Sequence, residues 1–220
     1  FREFERLSTT VINSYLGPRM KMYIHHLQDR IRQVGVRVEP YITQSNGGVM
    51  SISSTIQTPV QTALSGPSAG VMGAVYVAKA AGFLDIITYD MGGTSTDVSL
   101  VKDGIAEYTT KRKVCGLPSG VPMIDVHAVG AGGGSIAHID NAGALKVGPE
   151  SAGANPGPVA YNLGNEQPVV TDANLVLGRI NPHYVLGGRL KIDAQLSRAA
   201  MKKQIADPMG LSVEAAAQGV

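Results

Sequence analysis

Hydrophobic residues recur with helical spacing in several parts of the chain. Between residues 8 and 33 they fall about three or four positions apart with charged residues between them, which predicts a long amphipathic helix. Pro18 lies inside this segment and should start a helical turn or kink the helix. Residues 68–81 and 193–206 predict two further helices, and Ser212 predicts the N-cap of a last one.

Short apolar runs bounded by turn residues occupy the middle of the chain and predict strands. These strands are expected at residues 36–43, 86–90, 98–101, 105–109 and 123–129. The run at 86–90 is apolar enough to predict a buried strand, and Asp103-Gly104 is typical of a hairpin turn. From Ser135 onward we expect short irregular structure, with a long loop at 148–157 and a helix beginning at Thr171 or Asp172. This mixture predicts an α/β or mixed α+β fold.

Composition and charge exclude several functional classes. The chain has 220 residues, enough for one large domain or two small lobes, and a net charge of +2. No strongly basic face is evident, which argues against a nucleic-acid partner, and residues 111–113 are expected to be a solvated basic patch. One cysteine fits a reducing, cytoplasmic setting. No apolar run reaches the roughly 18 residues of a membrane span, so no membrane partner is expected.

The two ends of the chain resemble cut ends. The chain begins without Met and runs directly into a helical pattern, and it stops within the helix that follows Ser212. We therefore expect it to be a fragment of a larger chain.

The segment with the clearest chemistry is DMGGTSTD at residues 90–97, directly after the predicted buried strand. The strand delivers Asp90 to its carboxyl end, and two glycines allow a tight turn whose N–H groups can approach an anion. Hydroxyl groups bind phosphate oxygens, and the carboxylates of Asp90 and Asp97 are hard ligands suited to Mg²⁺. A plain hairpin with a polar tip is the alternative interpretation. The predicted phosphate-binding residues are Gly92, Gly93, Thr94, Ser95 and Thr96.

A second group of residues lies on the predicted strand at 123–129. Side chains two positions apart on a strand share a face, so Asp125 and His127 could hold one divalent metal together with Asp90 or Asp97. His127 could instead act as a general base, or Asp125 could simply orient His127 beside the next loop. That loop is rich in glycine, and its bare backbone could approach phosphate closely. The residues expected to do so are Gly132, Gly133 and Gly134.

Residues 90–100, DMGGTSTDVSL, resemble the second phosphate loop of the actin/Hsp70/sugar-kinase superfamily. Five further segments occur in the order typical of the hydantoinase A/5-oxoprolinase family, and the resemblance extends over nearly the whole chain. They are residues 44–48, 65–70, 125–135, 148–153 and 171–174.

This resemblance implies a lobe of a ribonuclease-H-like, actin-like ATPase core within a central hydantoinase A domain. Residues 1–84 would be its helical connecting part and residues 85–220 its phosphate-loop lobe. The implied reaction is ATP-dependent opening of a small cyclic amide, such as a hydantoin or 5-oxoproline, by phosphorylation of the carbonyl oxygen. The implied cofactors are ATP and Mg²⁺ or another divalent metal, and the implied partner is a subunit or domain of the hydantoinase B type.

Within that reaction, Asp90 and His127 are the predicted catalytic residues. The predicted metal ligands are Asp90, Asp97, Asp125 and His127.

Other functions compete with this prediction. An ATP-dependent ketone carboxylase subunit would use the same carbonyl activation, whereas an actin-like or Hsp70-like conformational ATPase would have no need of the imidazole of His127. A dinucleotide-binding Rossmann domain fits poorly, because the 90–97 segment leads into a hairpin and not into a helix. The superfamily uses two phosphate loops and only one is present here. We therefore expect weak or absent ATP binding, and no catalysis, from these 220 residues alone.

Overall fold

The computed structural model describes residues 2–220, which divide into two compact units. Unit 1 comprises the residues up to Asp90 together with Val98–His127, and unit 2 comprises Met91–Asp97 and Ala128–Val220. Met91–Asp97 thus group with the later residues, whereas Val98–His127 return to the first unit. Both units mix helices and strands, so the predicted mixed α/β class is confirmed.

Helices and short strands alternate along the first part of the chain. In order they are α1 (Glu3–Gln33), β1 (Ile42–Thr43), β2 (Val49–Met50), α2 (Ile52–Gln57), a 3-10 turn (Pro59–Thr62), α3 (Ser65–Ala80), β3 (Ile86–Met91), β4 (Thr96–Lys102), β5 (Ile105–Ala106), β6 (Tyr108–Thr109), β7 (Lys113–Val114), β8 (Leu117–Pro118), β9 (Met123–Ile124) and β10 (His127–Val129). The largest sheet has the order β10-β4-β3, with β5 also paired to β4. The division between the units passes through β3, β4 and β10.

Helix α1 confirms the long helix predicted near the start of the chain, although it begins five residues earlier than expected and continues through Pro18. Acidic residues lie in its first turn and basic residues in its last, which complements the helix dipole. No helix among residues 2–220 combines the length and the apolar character needed to cross a membrane.

Four strand predictions in unit 1 need correction. The strand predicted at 105–109 forms as two short strands, β5 paired with β4 and β6 paired with β9. Of the strand predicted at 36–43, only Ile42–Thr43 forms, and no other part of the described chain pairs with residues 36–41. The strand at 86–90 forms but is not buried, because it ends the sheet and only Ile86 packs on the core of unit 1. Ile87 is 68% exposed. The strand predicted at 123–129 forms as two pieces that belong to different sheets, because β9 pairs with β6 whereas β10 pairs with β4.

The predicted hairpin at Asp103-Gly104 is confirmed, with Val101 opposite Ala106. Around it, helix α3 and strands β4, β5 and β9 enclose the core of unit 1. The buried residues of that core are Val71, Val75, Val101, Ala106, Ile124 and Val126.

Unit 2 places a hairpin beside a group of helices. Its elements after β10 are β11 (Ser135–Ile139), β12 (Leu145–Ser151), a 3-10 turn (Val159–Tyr161), α4 (Val170–Val176), a second 3-10 turn (Leu186–Gly188), α5 (Ala194–Met201), a π-helical turn (Lys202–Ala206), α6 (Asp207–Met209) and α7 (Val213–Gly219). The core of unit 2 consists of Ala137, Ala173, Met201, Ile205, Ala206, Ala216 and Ala217.

The hairpin of β11 and β12 was not expected from sequence, where residues after Ser135 were predicted to be irregular. Asp140 closes its turn, because the carboxylate accepts from the amides of Ala142 and Ala144 at 2.9 Å each. Gly143 has φ of 81°, a conformation that glycine adopts without strain. The segment DNAG between two apolar runs is typical of such a turn and would have allowed the hairpin to be predicted.

The helix predictions for unit 2 are close to the structure. Asp193 is the N-cap of α5 and accepts from the amide of Gln195 at 2.8 Å, and the π-helical turn continues α5 to Ala206. Ser212 caps α7 as predicted, accepting from the amide of Ala215.

Candidate functional site

The 92–95 loop joins β3 to β4 in unit 2. Its turn is closed by the amide of Gly92, which donates to Ser95 O at 2.8 Å. Among residues 2–220, the amides of Gly93, Thr94 and Ser95 have no hydrogen-bond acceptor. Thr94 is exposed and Ser95 is half-buried. The loop therefore presents three consecutive unused N–H donors and two hydroxyls, an arrangement suited to an anion.

The 130–134 loop braces the 92–95 loop from within the same unit. The amide of Gly133 donates to Gly92 O at 2.9 Å, and the amide of Gly134 donates to Gly93 O at 2.6 Å. These bonds resemble a short ladder between two segments about forty residues apart in sequence.

Close approach of the two loops requires glycine at position 132. A Cβ there would lie 2.7 Å from the carbonyl carbon of Thr94 and 2.8 Å from the amide nitrogen of Ser95, closer than real Cβ atoms come to backbone. A Cβ at Gly134 would lie 2.9 Å from Gly93 O. These glycines are explained by backbone packing.

This packing changes the role predicted for the glycines of the 130–134 loop. The amide of Gly132 donates to Ser135 Oγ at 2.9 Å, and those of Gly133 and Gly134 donate to the 92–95 loop. None of the three amides is free to donate to phosphate in this conformation. The physical reason is that glycine allows close approach to the backbone. Both an anion and a second loop require such an approach, so the sequence does not distinguish them.

The hydroxyls of Thr94, Ser95 and Thr96, in and just after the 92–95 loop, differ in burial. Thr96 is 3% exposed, and its hydroxyl donates to Ala131 O. Of the three hydroxyls predicted to bind phosphate, that of Thr96 therefore holds the 130–134 loop, whereas Thr94 is exposed and Ser95 is half-buried. Asp97, the next residue of β4, is half-buried.

The remaining predicted site residues, Asp90, Asp125 and His127, belong to unit 1. Asp90 is exposed near the end of β3, and its carboxylate lies beside Gly70 of α3, where a Cβ would be 3.9 Å from Asp90 Oδ2. Asp125 and His127 pair with each other, with 3.5 Å between Asp125 Oδ2 and His127 Nε2. The side chain of His127 is 77% exposed.

Arg112 lies beside the pair of Asp125 and His127, and the sequence did not predict this contact. Its guanidinium donates to Val126 O and lies 4.0 Å from Asp125 Oδ1, and its side chain is only 23% exposed. The prediction that residues 111–113 form a solvated patch is therefore wrong for Arg112. The backbone of Asp125 is held as well, because Ser99 Oγ donates to its carbonyl at 2.8 Å.

The four predicted metal ligands are divided between the units, with Asp97 in unit 2 and the others in unit 1. Within the part of the chain that the structure describes, no three side chains of His, Cys, Asp or Glu are grouped closely enough to hold a metal ion. The pair of Asp125 and His127 is the part of the predicted set that comes together.

Asp172 of unit 2 was named in the sequence as a possible helix start and as part of the family-typical segment 171–174, with no role of its own. Asp172 is fully buried, and α4 begins two residues before it, at Val170. Its carboxylate reaches back to the amide of Val169 at 3.0 Å, as an acidic third helical residue does in a capping box. That spacing could have indicated its local role, whereas its more distant partners could not be inferred from sequence.

A cavity of about 1050 Å³ lies in unit 1 between the first turns of α1 and the β7–β8 hairpin. Its lining includes Arg6, Thr9, Asn13, Gln61 and Lys111. None of the residues predicted to bind phosphate or metal lines this cavity.

Comparison with known proteins gives a consistent result over the whole chain. A model of the hydantoinase/oxoprolinase family matches residues 6–220. The chain is 43% identical over 219 residues to caprolactamase subunit alpha of Pseudomonas jessenii, covering 100% of this chain and 32% of that protein. It is 39% identical over 186 residues to 5-oxoprolinase 1 of Arabidopsis thaliana, covering 83% of this chain and 14% of that protein.

Two solved structures share the fold. The crystal structure of ATP-dependent caprolactamase from Pseudomonas jessenii aligns with a TM-score of 0.81 at 43% identity, over 100% of this chain and 32% of that one. The nucleotide-free structure of acetone carboxylase aligns with a TM-score of 0.80 at 34% identity, over 100% of this chain and 31% of that one. The chain thus spans about a third of the length of these proteins.

Proposed function

The chain belongs to the hydantoinase/oxoprolinase family, and from that membership we propose that it supplies the phosphate loop of an ATP-dependent enzyme that opens cyclic amides. The observation that carries this proposal is the 92–95 loop, with three consecutive amides that have no acceptor among residues 2–220. The relatives named caprolactamase and 5-oxoprolinase support the choice of a cyclic amide as substrate.

The chemistry explains why ATP is needed. The C–N bond of an amide is stabilised by resonance, so its carbonyl carbon is a poor electrophile. ATP would supply the phosphoryl group that activates the carbonyl oxygen. The protein then has mainly to position groups and to neutralise charge.

Within unit 2, the amides of Gly93, Thr94 and Ser95 would bind phosphate oxygens, and the hydroxyls of Thr94 and Ser95 would add further donors. The bonds from Gly133 and Gly134 hold the loop in shape, so the donors are arranged before an anion arrives.

Mg²⁺ at nucleotide sites is held by one or two carboxylates together with phosphate oxygens and waters. We propose Asp97, the half-buried carboxylate two residues after the 92–95 loop in unit 2, as such a ligand. Asp90 keeps its predicted catalytic and metal-binding roles as a proposal.

For His127 we propose a role toward substrate, as a general base or as a metal ligand with Asp125. Replacing His127 with Ala in the full-length protein should abolish substrate-stimulated ATP turnover. His26→Ala, which changes an exposed histidine of α1 in the same unit, is the matched control. If His127→Ala keeps both basal and stimulated turnover, the imidazole has no part in the reaction and the role proposed for His127 is wrong.

The substrate class is tested with the full-length protein and its co-expressed partner subunit, since the relatives are named as subunits of larger enzymes. ADP release is measured with lactams, hydantoins and 5-oxoproline. Stimulation by one cyclic amide supports the proposal. Steady basal hydrolysis with no stimulation by any of them would refute it.

An ATP-dependent ketone carboxylase is the second candidate, and one observation favours it. The acetophenone carboxylase gamma subunit of Aromatoleum aromaticum is 39% identical over 98% of this chain, nearly as similar as the caprolactamase. The same assay with acetone or acetophenone plus bicarbonate separates the two, because only a carboxylase is stimulated by a ketone.

A further inference from the structure

Asp172 is the fully buried carboxylate of unit 2 that the proposed reaction does not use. Aspartate is almost never fully buried unless its oxygens are paired. Here they are paired completely. Oδ2 accepts from the amides of Val159 and Val169 at 3.0 Å each, and Oδ1 accepts from the amide of Ala160 at 3.0 Å and from Ser197 Oγ at 2.6 Å.

These four bonds join three elements that are far apart in sequence. Val159 and Ala160 begin the 3-10 turn, Val169 directly precedes α4, and Ser197 lies on α5. One side chain therefore sets where the first turn of α4 lies within unit 2. A buried group with four partners is costly to disturb, because each lost partner leaves a desolvated donor.

The first turn of α4 in turn contacts the 130–134 loop. The amide of Thr171, the residue before Asp172, donates to Gly133 O at 2.8 Å. The fit leaves little room, because a Cβ on Gly133 would lie 2.8 Å from Thr171 Oγ1. Gly133 then donates to Gly92 O of the 92–95 loop. The backbone from Asp172 to Thr171, followed by two hydrogen bonds through Gly133, thus connects Asp172 to the loop with the unused amides.

We propose that Asp172 is a positioning residue for the 92–95 loop, acting through the first turn of α4 and the 130–134 loop. The role in ATP use rests on the proposed function, whereas the effect on the conformation of the loop does not. Among residues 2–220, the carboxylate of Asp172 makes no hydrogen bond to either loop. Its part is to hold the 92–95 loop in the conformation in which the three unused amides are available to an anion.

Two variants test this in the full-length protein. In Asp172→Asn the amide NH₂ cannot accept a hydrogen bond, so at least one of the four donors loses its acceptor. Ser197→Ala removes one donor and keeps the carboxylate, which makes it the milder change if Asp172→Asn does not fold. Ile205→Val is the control, because Ile205 is buried in the same core as Ala173 of α4 but makes no polar contact with this connection.

The readouts are amide hydrogen exchange in peptides covering residues 92–95, the KM for ATP and kcat. At an equal loss of thermal stability, we expect Asp172→Asn and Ser197→Ala to show faster amide exchange at residues 92–95 than Ile205→Val. We also expect a KM for ATP raised roughly tenfold, as when outer-shell partners are removed at other ligand sites, with a smaller change in kcat.

The proposal is overturned if both variants match Ile205→Val in amide exchange at residues 92–95 and in KM for ATP. Asp172 would then be a purely structural residue. Faster exchange at 92–95 in a protein that turns over no ATP with any substrate would support the positioning role while refuting the proposed function. The two failures are therefore distinguishable.

Discussion

The close contact between two glycine-containing loops determines which positions in unit 2 tolerate a side chain. The 92–95 loop and the 130–134 loop meet backbone to backbone, so a side chain at the contact would occupy space already filled by peptide atoms. Neighbouring glycines of the same loop differ sharply in this respect. Gly132 has three backbone atoms within 3 Å of a would-be Cβ, whereas Gly130 has nothing within 4 Å.

Gly132→Ala should therefore disrupt the site while Gly130→Ala should not. The added methyl forces the loops apart, which costs about 1–3 kcal/mol of stability as overpacking does elsewhere, and displaces the amides of Thr94 and Ser95. We expect lower thermal stability and lost ATP turnover in the full-length protein. Equal behaviour of the two variants would mean that the loops are not in contact as described.

At the scale of elements, the β11–β12 hairpin depends on the charge of Asp140. The amide of Ala144, and after it that of Ala142, donate to the carboxylate and hold the pKa of Asp140 below its ordinary value. A carboxyl whose pKa is lowered by folding adds stability above its unfolded pKa of about 3.9. That contribution is lost as the pH falls through the lowered native value.

Asp140→Asn should therefore cost stability at neutral pH, and its difference from wild type should shrink below about pH 4. The asparagine oxygen can still accept in the turn, so the loss is one of charge and not of the turn itself. Thermal unfolding of both proteins between pH 3 and pH 7 measures this. A difference that stays constant over that range would contradict the role of the charge.

For the whole molecule, the length of the chain limits the activity we expect of it. The chain spans about a third of relatives such as caprolactamase subunit alpha, and the superfamily it resembles binds nucleotide with two phosphate loops. We predict that calorimetric titration of the isolated 220 residues with ATP gives weak or no binding. The full-length protein is the positive control, and tight saturable binding by the isolated chain would contradict the prediction.

Turns and helix caps of this protein were predictable because they depend on residues that are close in sequence. The turn at Asp103-Gly104, the cap at Ser212 and the glycine turn after β3 all depend on residues within a few positions, and all were predicted. The DNAG turn of the β11–β12 hairpin was equally local and was missed. The order of motifs also sufficed for the family, which the comparisons confirm.

Only the tertiary structure decided which groups are free and which are occupied. Gly133 meets Gly92, Arg112 meets Val126, and Asp172 meets Ser197 across separations of 14 to 41 residues, which no periodicity encodes. For that reason the sequence alone assigned the 130–134 loop to phosphate, the basic run to solvent and Asp172 to the start of a helix. A backbone amide or a buried carboxylate has the same sequence signature whether its partner is a ligand or another segment of the chain, because hydrogen bonding depends on proximity in space.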